Sequence, residues 1–259
     1  MRTHRILMLA ALGLAMMLPS AAAWAEPTEI TVRVLSKDAK FIGTSMGGMR
    51  ITLRDAETGE ILASGLTEGG TGDTKRLMHE NAGRRAVMSD ASAARFQVTL
   101  DLDAPRLIEV EAYGPLAQRQ AAQRVVATQW VIPGRGISGG DGWVLELPGF
   151  AVDVLSPPPH IKFDGATTVD VRANVVMMCG CPIEPKGLWD ADKYEVQAIV
   201  RRDGKPVAQV LLKYAGQTSQ FAAAVPATEP GMYEVLVYAY DPANGNTGLD
   251  RTTFIIAKK

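Results

Sequence analysis

Both cysteines of the chain lie in one sulfur-rich segment, which reads Val175-Val176-Met177-Met178-Cys179-Gly180-Cys181-Pro182. Sulfur side chains at this density can form a disulfide, bind a soft metal ion or carry out thiol redox chemistry. Each use requires a different spacing and different neighbours. The segment is therefore the candidate functional site, with three chemistries open to it.

A disulfide is the default use for two cysteines of an exported protein. In an extended strand, however, residues such as Cys179 and Cys181 lie about 6.5 Å apart with parallel side chains, at the far edge of the bridging range. Gly180 between them can supply the necessary bend. The spacing predicts a strained, readily reduced disulfide whose loop is too small to stabilise folding much.

A soft-metal site is the second use. Strand alternation places Met177, Cys179 and Cys181 on one side of the chain, where a predicted strand runs out into a loop. A thioether and two thiolates select Cu(I) over hard cations. This interpretation predicts copper (Cu+) as the cofactor, bound by these three side chains.

Other residues are candidates to complete or cover this metal site. Met178 faces the opposite side, so His160, after a run of prolines, and Met232 are the candidate fourth ligands, although nothing in the sequence places them near the cysteines. Trp189, in the following loop, has two interpretations. It covers the sulfur site and excludes water, or it fills the core of a sandwich, which is the commoner use of such a tryptophan.

Thiol redox chemistry is the third and least favoured use. A thioredoxin-type site needs C-x-x-C at the start of a helix in a βαβ unit, whereas this chain has C-x-C. Other catalytic sets are also incomplete, because His79 and His160 are the only histidines after residue 25 and neither cysteine has an evident histidine partner. We expect a protein that is not an enzyme.

Two further groups of residues have simple structural explanations. Asp241, Asn244 and Asn246 carry oxygens that suit Ca2+, but the EF-hand spacing is absent and hairpin turns favour Asn and Gly. Met46 and Met49, which flank two glycines, form a second loose set of soft groups with Met78 and His79, but methionine is commonly a core filler. We expect both groups to serve in turns and packing.

The amino terminus has the layout of a secretory signal peptide. Arg2 and Arg5 precede an apolar run, and Ala23 and Ala25 form the A-x-A pattern of a cleavage site. The run is shorter than the roughly 20 residues that span a bilayer. We expect residues 1–25 to be removed and the mature protein to be periplasmic or secreted.

The charge excludes two classes of partner. The formal net charge is -1, and loss of Arg2 and Arg5 makes the mature chain more acidic. Such a chain has no long-range attraction for nucleic acid or an anionic membrane. We expect the partner to be another exported protein, with no nucleic acid and no membrane span involved.

The rest of the chain predicts an all-β fold. Apolar residues alternate with polar ones in short runs, as at Ile30, Val32 and Val34, and turn residues separate these runs. A short helix near residues 74–81 is the one exception that the pattern indicates. The runs fall at residues 30–34, 49–54, 96–100, 107–113, 129–132, 143–147, 168–178, 194–202, 209–213, 220–225, 235–239 and 252–256.

The strand runs divide into two groups of similar size around Pro148. We therefore predict two antiparallel β-sandwich domains in tandem, over residues 26–150 and 151–259. The run 155–160 contains three consecutive prolines, which cannot join a sheet ladder and favour an extended chain. It is the predicted linker.

The end of the chain resembles a known family. Pro230-Gly231-Met232-Tyr233 leads into an alternating strand that ends at Asp241, and a Gly-Asn turn follows within residues 244–248. This pattern is similar to the last hairpin of bacterial immunoglobulin-like (Ig-like) domains. The resemblance implies a β-sandwich in which Tyr233 takes the tyrosine-corner position and ties down a sheet corner.

The first half more weakly resembles prealbumin-like and carboxypeptidase-regulatory-like sandwiches, through Thr58-Gly59-Glu60 and the segment 62–67 that follows it. Neither resemblance implies a reaction, because these folds serve mostly as scaffolds and binding modules.

The sequence favours an exported, non-enzymatic binding protein that holds copper through Met177, Cys179 and Cys181, as a carrier or as an accessory to a periplasmic redox system. Two alternatives stay open. One is a cofactor-free Ig-like structural, adhesive or assembly module with a Cys179–Cys181 disulfide, and the other is a thiol–disulfide redox protein.

Overall fold

The computed structural model describes residues 24–80 and 83–258. Residues 1–23, which hold nearly all of the predicted signal peptide, lie outside the described residues. The regular elements of the described chain are nearly all strands, which confirms the all-β prediction. The strands are β1 (Glu26–Ser36), β2 (Arg50–Asp55), β3 (Ile61–Leu66), β4 (Phe96–Leu102), β5 (Arg106–Gly114), β6 (Gln123–Val131), β7 (Trp143–Leu147), β8 (Phe150–Ser156), β9 (Ile161–Phe163), β10 (Thr167–Met177), β11 (Glu195–Arg202), β12 (Lys205–Leu211), β13 (Lys213–Tyr214), β14 (Gln220–Ala227), β15 (Gly231–Tyr240) and β16 (Thr247–Ile256).

The strands form four sheets, two on either side of the connection at residues 148–149. The N-terminal half (residues 26–147) has the sheets β4-β1-β7 and β3-β2-β5-β6, and the C-terminal half (residues 150–256) has β13-β14-β10-β8 and β12-β11-β15-β16-β9. Most neighbouring strands are antiparallel, as predicted. Two pairs, β1 with β7 and β16 with β9, are parallel.

Period-two alternation sets the buried face of each sheet. In β15, for example, Val235, Val237 and Ala239 are fully buried while the residues between them are half-buried. Such alternation places every second side chain on the same face, where it packs against the opposite sheet. The buried apolar side chains form one cluster that runs through both halves.

The proline run at residues 155–160, which was the predicted linker, does not connect the two halves of the chain. Leu155 and Ser156 belong to β8, and the prolines connect β8 to β9 within the C-terminal half. This connection is fixed at both ends, because the Pro157 carbonyl accepts a hydrogen bond from the Thr252 hydroxyl and the His160 amide donates to the Thr253 carbonyl. Prolines that cannot join a ladder also suit a connection between two strands of one sandwich, so such a run does not by itself mark a linker between domains.

The region before β4 contains the one α-helix of the described residues, α1 (Thr74–Met78). Asp73 caps it by accepting a hydrogen bond from the Arg76 amide at 2.7 Å. The helix is shorter than the predicted 74–81, and Asn81 lies outside the described residues. Within the described residues, no helix has the length and apolar character needed to cross a membrane.

Candidate functional site

The sulfur-rich segment forms a tight turn at the end of β10, which we call the sulfur turn (residues 177–181). The Gly180 amide donates to the Met177 carbonyl at 2.7 Å, and the Met177 amide donates to the Cys181 carbonyl at 3.1 Å. Gly180 has a φ of 79°, a left-handed conformation that favours glycine. The turn brings the Cys179 and Cys181 Cα atoms to 5.4 Å, and a disulfide joins the two sulfurs.

Of the three chemistries open to the two cysteines, the structure contains the disulfide. Both sulfurs are bonded to each other, so neither is a thiolate that can bind a metal or attack another disulfide. Cys179 is 1% exposed and Cys181 is 4% exposed. The bond is therefore shielded from solvent by packing on all sides.

The alternation predicted for β10 leads directly into this buried turn. Val171, Val175 and Met177 face the core, as do the two cysteines beyond them. Met178 differs from the prediction, because it is also fully buried. The tight turn removes the distinction between the two faces of the strand, so both methionines pack inside.

The sulfur turn is covered by the N-terminal half. A short 3-10 helix, Thr44–Met46, precedes β2 and places the Met46 side chain against Gly180. A Cβ atom built on Gly180 would lie 2.7 Å from the Met46 sulfur, which is closer than packed atoms tolerate. The turn and Met46 are therefore in direct contact across the two halves.

Trp189 also lies at the contact between the halves. Its indole N–H donates to the Asp38 carbonyl at 3.0 Å, and its side chain is 7% exposed. Asp190 holds the loop by accepting hydrogen bonds from the Lys186 and Asp192 amides. These two N–H groups hold the pKa of the Asp190 carboxyl below its usual value, because they stabilise the ionised form.

The turn after β15 completes this contact region, which we call the junction. The Asn244 side chain donates to the Asp38 carboxylate at 2.6 Å, and the Lys37 ammonium donates to the Asn244 carbonyl at 3.0 Å. The Asn246 side-chain oxygen accepts from the Gly149 amide at 3.1 Å. These turn residues hold the halves together, a use that their spacing in the sequence does not reveal.

His160 is not near the sulfur turn. Its ring nitrogen Nδ1 lies 3.1 Å from the Thr253 hydroxyl. Gly248 of β16 abuts Phe150, which pairs with Met177. Because Thr253 is five residues further along β16, about 17 Å of strand separates it from Gly248, the residue of β16 that lies against Phe150.

The predicted set of metal ligands is therefore not brought together. Met177, Cys179 and Cys181 meet, but His160 does not join them, and Met232 is a surface residue at the start of β15. Across residues 24–80 and 83–258, no three His, Cys, Asp or Glu side chains lie close enough to hold a metal ion. The thioether that does reach the turn is Met46, which the sequence marked only by its place beside Met49 and two glycines.

Tyr233 lies far from the junction, in the sheet corner at the start of β15. Its hydroxyl donates to the Glu229 carbonyl at 2.9 Å, four residues upstream, and its ring stacks on Phe254 at 4.9 Å between centroids. A tyrosine hydroxyl that bonds back to the backbone a few residues upstream is the contact expected of a tyrosine corner.

The similarities of this chain to known proteins are to solved structures, at low identity and low TM-score. No protein-family model matches the chain. No curated protein matches it either. Among solved structures, it is similar to the fibronectin(III)-like modules of CbhA from Clostridium thermocellum, at 11% identity and a TM-score of 0.30 over 92% of each chain. It is also similar to the titin domains z1z2 in complex with telethonin, at 10% identity and a TM-score of 0.25 over 90% of this chain and 89% of that chain.

An engineered protein matches 49% of this chain at 20% identity, with a TM-score of 0.32, and this chain spans 24% of that protein's length. The class itself follows from the sheets. The chain is an all-β protein whose described strands form four mainly antiparallel sheets, with a buried Cys179–Cys181 disulfide.

Proposed function

We propose that this protein is an exported, cofactor-free assembly module, in which the Cys179–Cys181 disulfide holds the turn that seats the N-terminal half. The observation that carries the proposal is the position of the disulfide, which is buried at the contact with Met46. Disulfides persist in oxidising compartments, so the bond supports the export that the signal peptide predicts.

The contacts at the junction support a mechanical role for the sulfur turn. Met46 packs on Gly180, and two hydrogen bonds join the Trp189 and Asn244 side chains to Asp38. A disulfide between residues two apart restricts the backbone at that point, although its small loop adds little to global stability. Its effect is therefore local: it keeps the surface that receives Met46 in one shape.

An assembly module gains from such a junction because binding costs less when the binding surface is already ordered. Two sandwiches that keep one relative arrangement present a single extended surface to a partner protein. We expect the partner to be another exported protein, recognised by this surface.

Hydrogen exchange tests the proposed role of the disulfide. In the Cys179→Ser, Cys181→Ser double variant, we expect faster exchange both in the sulfur turn and at the Met46, Gly47 and Gly48 amides. These amides donate to the Gly43 and Thr44 carbonyls in the N-terminal half. Faster exchange there would show that the disulfide orders the other side of the junction.

The hairpin between β11 and β12, residues 202–205, is the internal control, because it lies outside the junction and its exchange should not change. Faster exchange confined to the sulfur turn, with no change at the three N-terminal amides, would refute the role that we propose for the disulfide.

The soft-metal alternative depends on reduction of the disulfide, and the observation that favours it is the Met46 sulfur beside the turn. A dithiol reductant would convert the bond to two thiols, which lose their protons on binding Cu(I). Alkylation and mass spectrometry of the exported protein separate the two functions. The assembly module predicts no free thiol and no bound copper, whereas a carrier predicts free thiols protected by a bound metal.

A further inference from the structure

A cleft of about 440 Å3 opens at the junction, where both halves contribute to its walls. We call it the junction cleft and define it by Asp38, Leu188, Trp189, Asp190, Tyr194 and Asp241. Clefts between packed units are common sites for ligands. The lining of the junction cleft includes Trp189 but neither cysteine of the disulfide.

One part of the cleft is apolar and open to solvent. Leu188 is 44% exposed, and Tyr194 is half-buried. Trp189 also lines the cleft, and its indole N–H is already bonded to Asp38. This part can receive an aliphatic stem but offers it little further hydrogen bonding.

The other part of the cleft is acidic. The carboxylates of Asp38, Asp190 and Asp241 line it, and within the described residues none of them forms a salt bridge. Their hydrogen-bond donors are neutral: the Asn244 side chain donates to both Asp38 and Asp241, and the Ala243 amide also donates to Asp241. Asp241 has only 7% of its surface exposed. Lys193 is the one basic side chain in the described lining, so a negative excess remains.

The negative charge of the three aspartates affects the pKa of the Tyr194 phenol. Burial raises the pKa of Tyr194 to about 12, and the charges of Asp241, Asp38 and Asp190 add to the increase. The three carboxylates therefore act on the same space. They do not form a metal site, since no three carboxylates of the described chain are close enough to share an ion. A cation that carries several N–H donors fits this space, because each donor can bond to a different carboxylate.

We propose that the junction cleft binds a lysine or arginine side chain of a partner polypeptide. The aliphatic stem lies along Leu188 and Trp189, and the cationic end donates to Asp38 and Asp241. Both basic side chains combine an apolar stem with a charged head that carries several donors, which matches the two parts of the cleft. The cation chemistry follows from the cleft alone, whereas the polypeptide source rests on the proposed assembly function.

Capped amino acids provide the direct test with the wild-type protein. N-acetyl-lysine methylamide and N-acetyl-arginine methylamide are titrated by NMR, with N-acetyl-norleucine methylamide as a matched probe that keeps the stem and lacks the charge. We expect the cationic probes to bind at least about tenfold more tightly than the norleucine probe. Equal binding of all three, or no binding of the cationic probes, would overturn the proposal.

Site variants locate the binding. The Asp38→Asn, Asp241→Asn double variant keeps an acceptor oxygen at each position, and we expect it to bind the lysine probe at least about tenfold more weakly. The control, Asp101→Asn, Asp164→Asn, makes the same change in net charge at two exposed positions outside the cleft. Equal weakening in both double variants would show a general charge effect and refute the site.

Leu188→Ala keeps the test decisive if the aspartate variants fail to fold, because Leu188 is an exposed residue outside the core. We expect it to weaken binding of the lysine probe about threefold or more, through loss of contact with the stem. Unchanged binding would refute the assigned position.

A capped peptide, Ala-Ala-Lys-Ala-Ala, distinguishes a polypeptide source from a free amine. We expect the peptide to bind more tightly than n-butylammonium, and equal or tighter binding of n-butylammonium would refute the polypeptide source. These titrations do not involve the disulfide, so their failure is separate from a failure of the exchange experiment on the double cysteine variant.

Discussion

The contact between Gly180 and Met46 predicts a measurable energetic coupling between the two halves of the chain. Gly180→Ala places a methyl group 2.7 Å from the Met46 sulfur and 3.0 Å from its Cγ atom. Met46 is buried, so its side chain has little room to move away. The substitution should therefore destabilise the protein through both the backbone and the packing.

The two contributions can be given separate magnitudes. A left-handed conformation costs alanine about 1–2 kcal/mol relative to glycine, offset in part by the lower entropy of the unfolded chain. Overpacking a well-filled contact typically costs about 1–3 kcal/mol more. We expect Gly180→Ala to lower the free energy of unfolding by about 2–4 kcal/mol, measured by urea denaturation.

Gly204→Ala is the matched control. Gly204 has a φ of 80°, almost the same as Gly180, and no atom lies within 4 Å of its Cβ position. This variant carries the backbone cost alone, which we expect to be about 1 kcal/mol. The difference between the two variants isolates the contact with Met46.

A double-mutant cycle with Met46→Ala completes the experiment. Once the Met46 sulfur is removed, Gly180→Ala should cost no more than Gly204→Ala, giving a coupling of about 1–3 kcal/mol between residues of different halves. If Gly180→Ala and Gly204→Ala cost the same, or if Met46→Ala leaves the cost of Gly180→Ala unchanged, the proposed contact does not contribute to stability.

Two further predictions concern the C-terminal half. Tyr233→Phe removes the hydrogen bond to the Glu229 carbonyl and keeps the ring, so we expect a loss of about 1–2 kcal/mol in urea denaturation. Tyr240→Phe should cost less than about 0.5 kcal/mol, and equal losses would argue against the corner contact. Burial and the charge of Asp250 raise the pKa of Asp153, so wild-type stability falls as pH rises from the unfolded pKa through the folded pKa. Asp153→Asn should therefore be more stable than wild type near pH 7, with the gain absent below about pH 3.5; a gain that is the same at both pH values would contradict the ionisation mechanism.

The strands of this protein could be predicted from local patterns because the alternation of buried and exposed side chains is a property of neighbouring residues. The runs at residues 30–34 and 143–147 lie within β1 and β7. The prediction for β6 was shorter than the observed strand. Val125 and Val126 both belong to β6. Val126 is the more exposed of the two, and it interrupts the alternation of apolar and polar residues because it is an apolar residue on the outer face of the strand.

The candidate site was predictable in part. The density of sulfur identified Cys179 and Cys181, and their spacing left a disulfide, a metal site and redox chemistry open. The extended geometry suggested about 6.5 Å between them, whereas the turn at Gly180 brings their Cα atoms to 5.4 Å. Met46 could not be assigned to this site, because its contact spans more than 130 residues of sequence.

The sequence by itself determined the all-β class, the strand periodicity and the segment in which sulfur chemistry is concentrated, and it predicts an export signal. Each of these depends on residues that are close together along the chain. Only the tertiary structure decided that the sulfur turn is buried against Met46, that Trp189 and Asn244 bond to Asp38, and that three aspartates line one cleft. These features depend on how the two halves pack, and the side chains that meet there are separated by most of the chain. No local periodicity encodes that arrangement, because it is set by the fit of two complete surfaces.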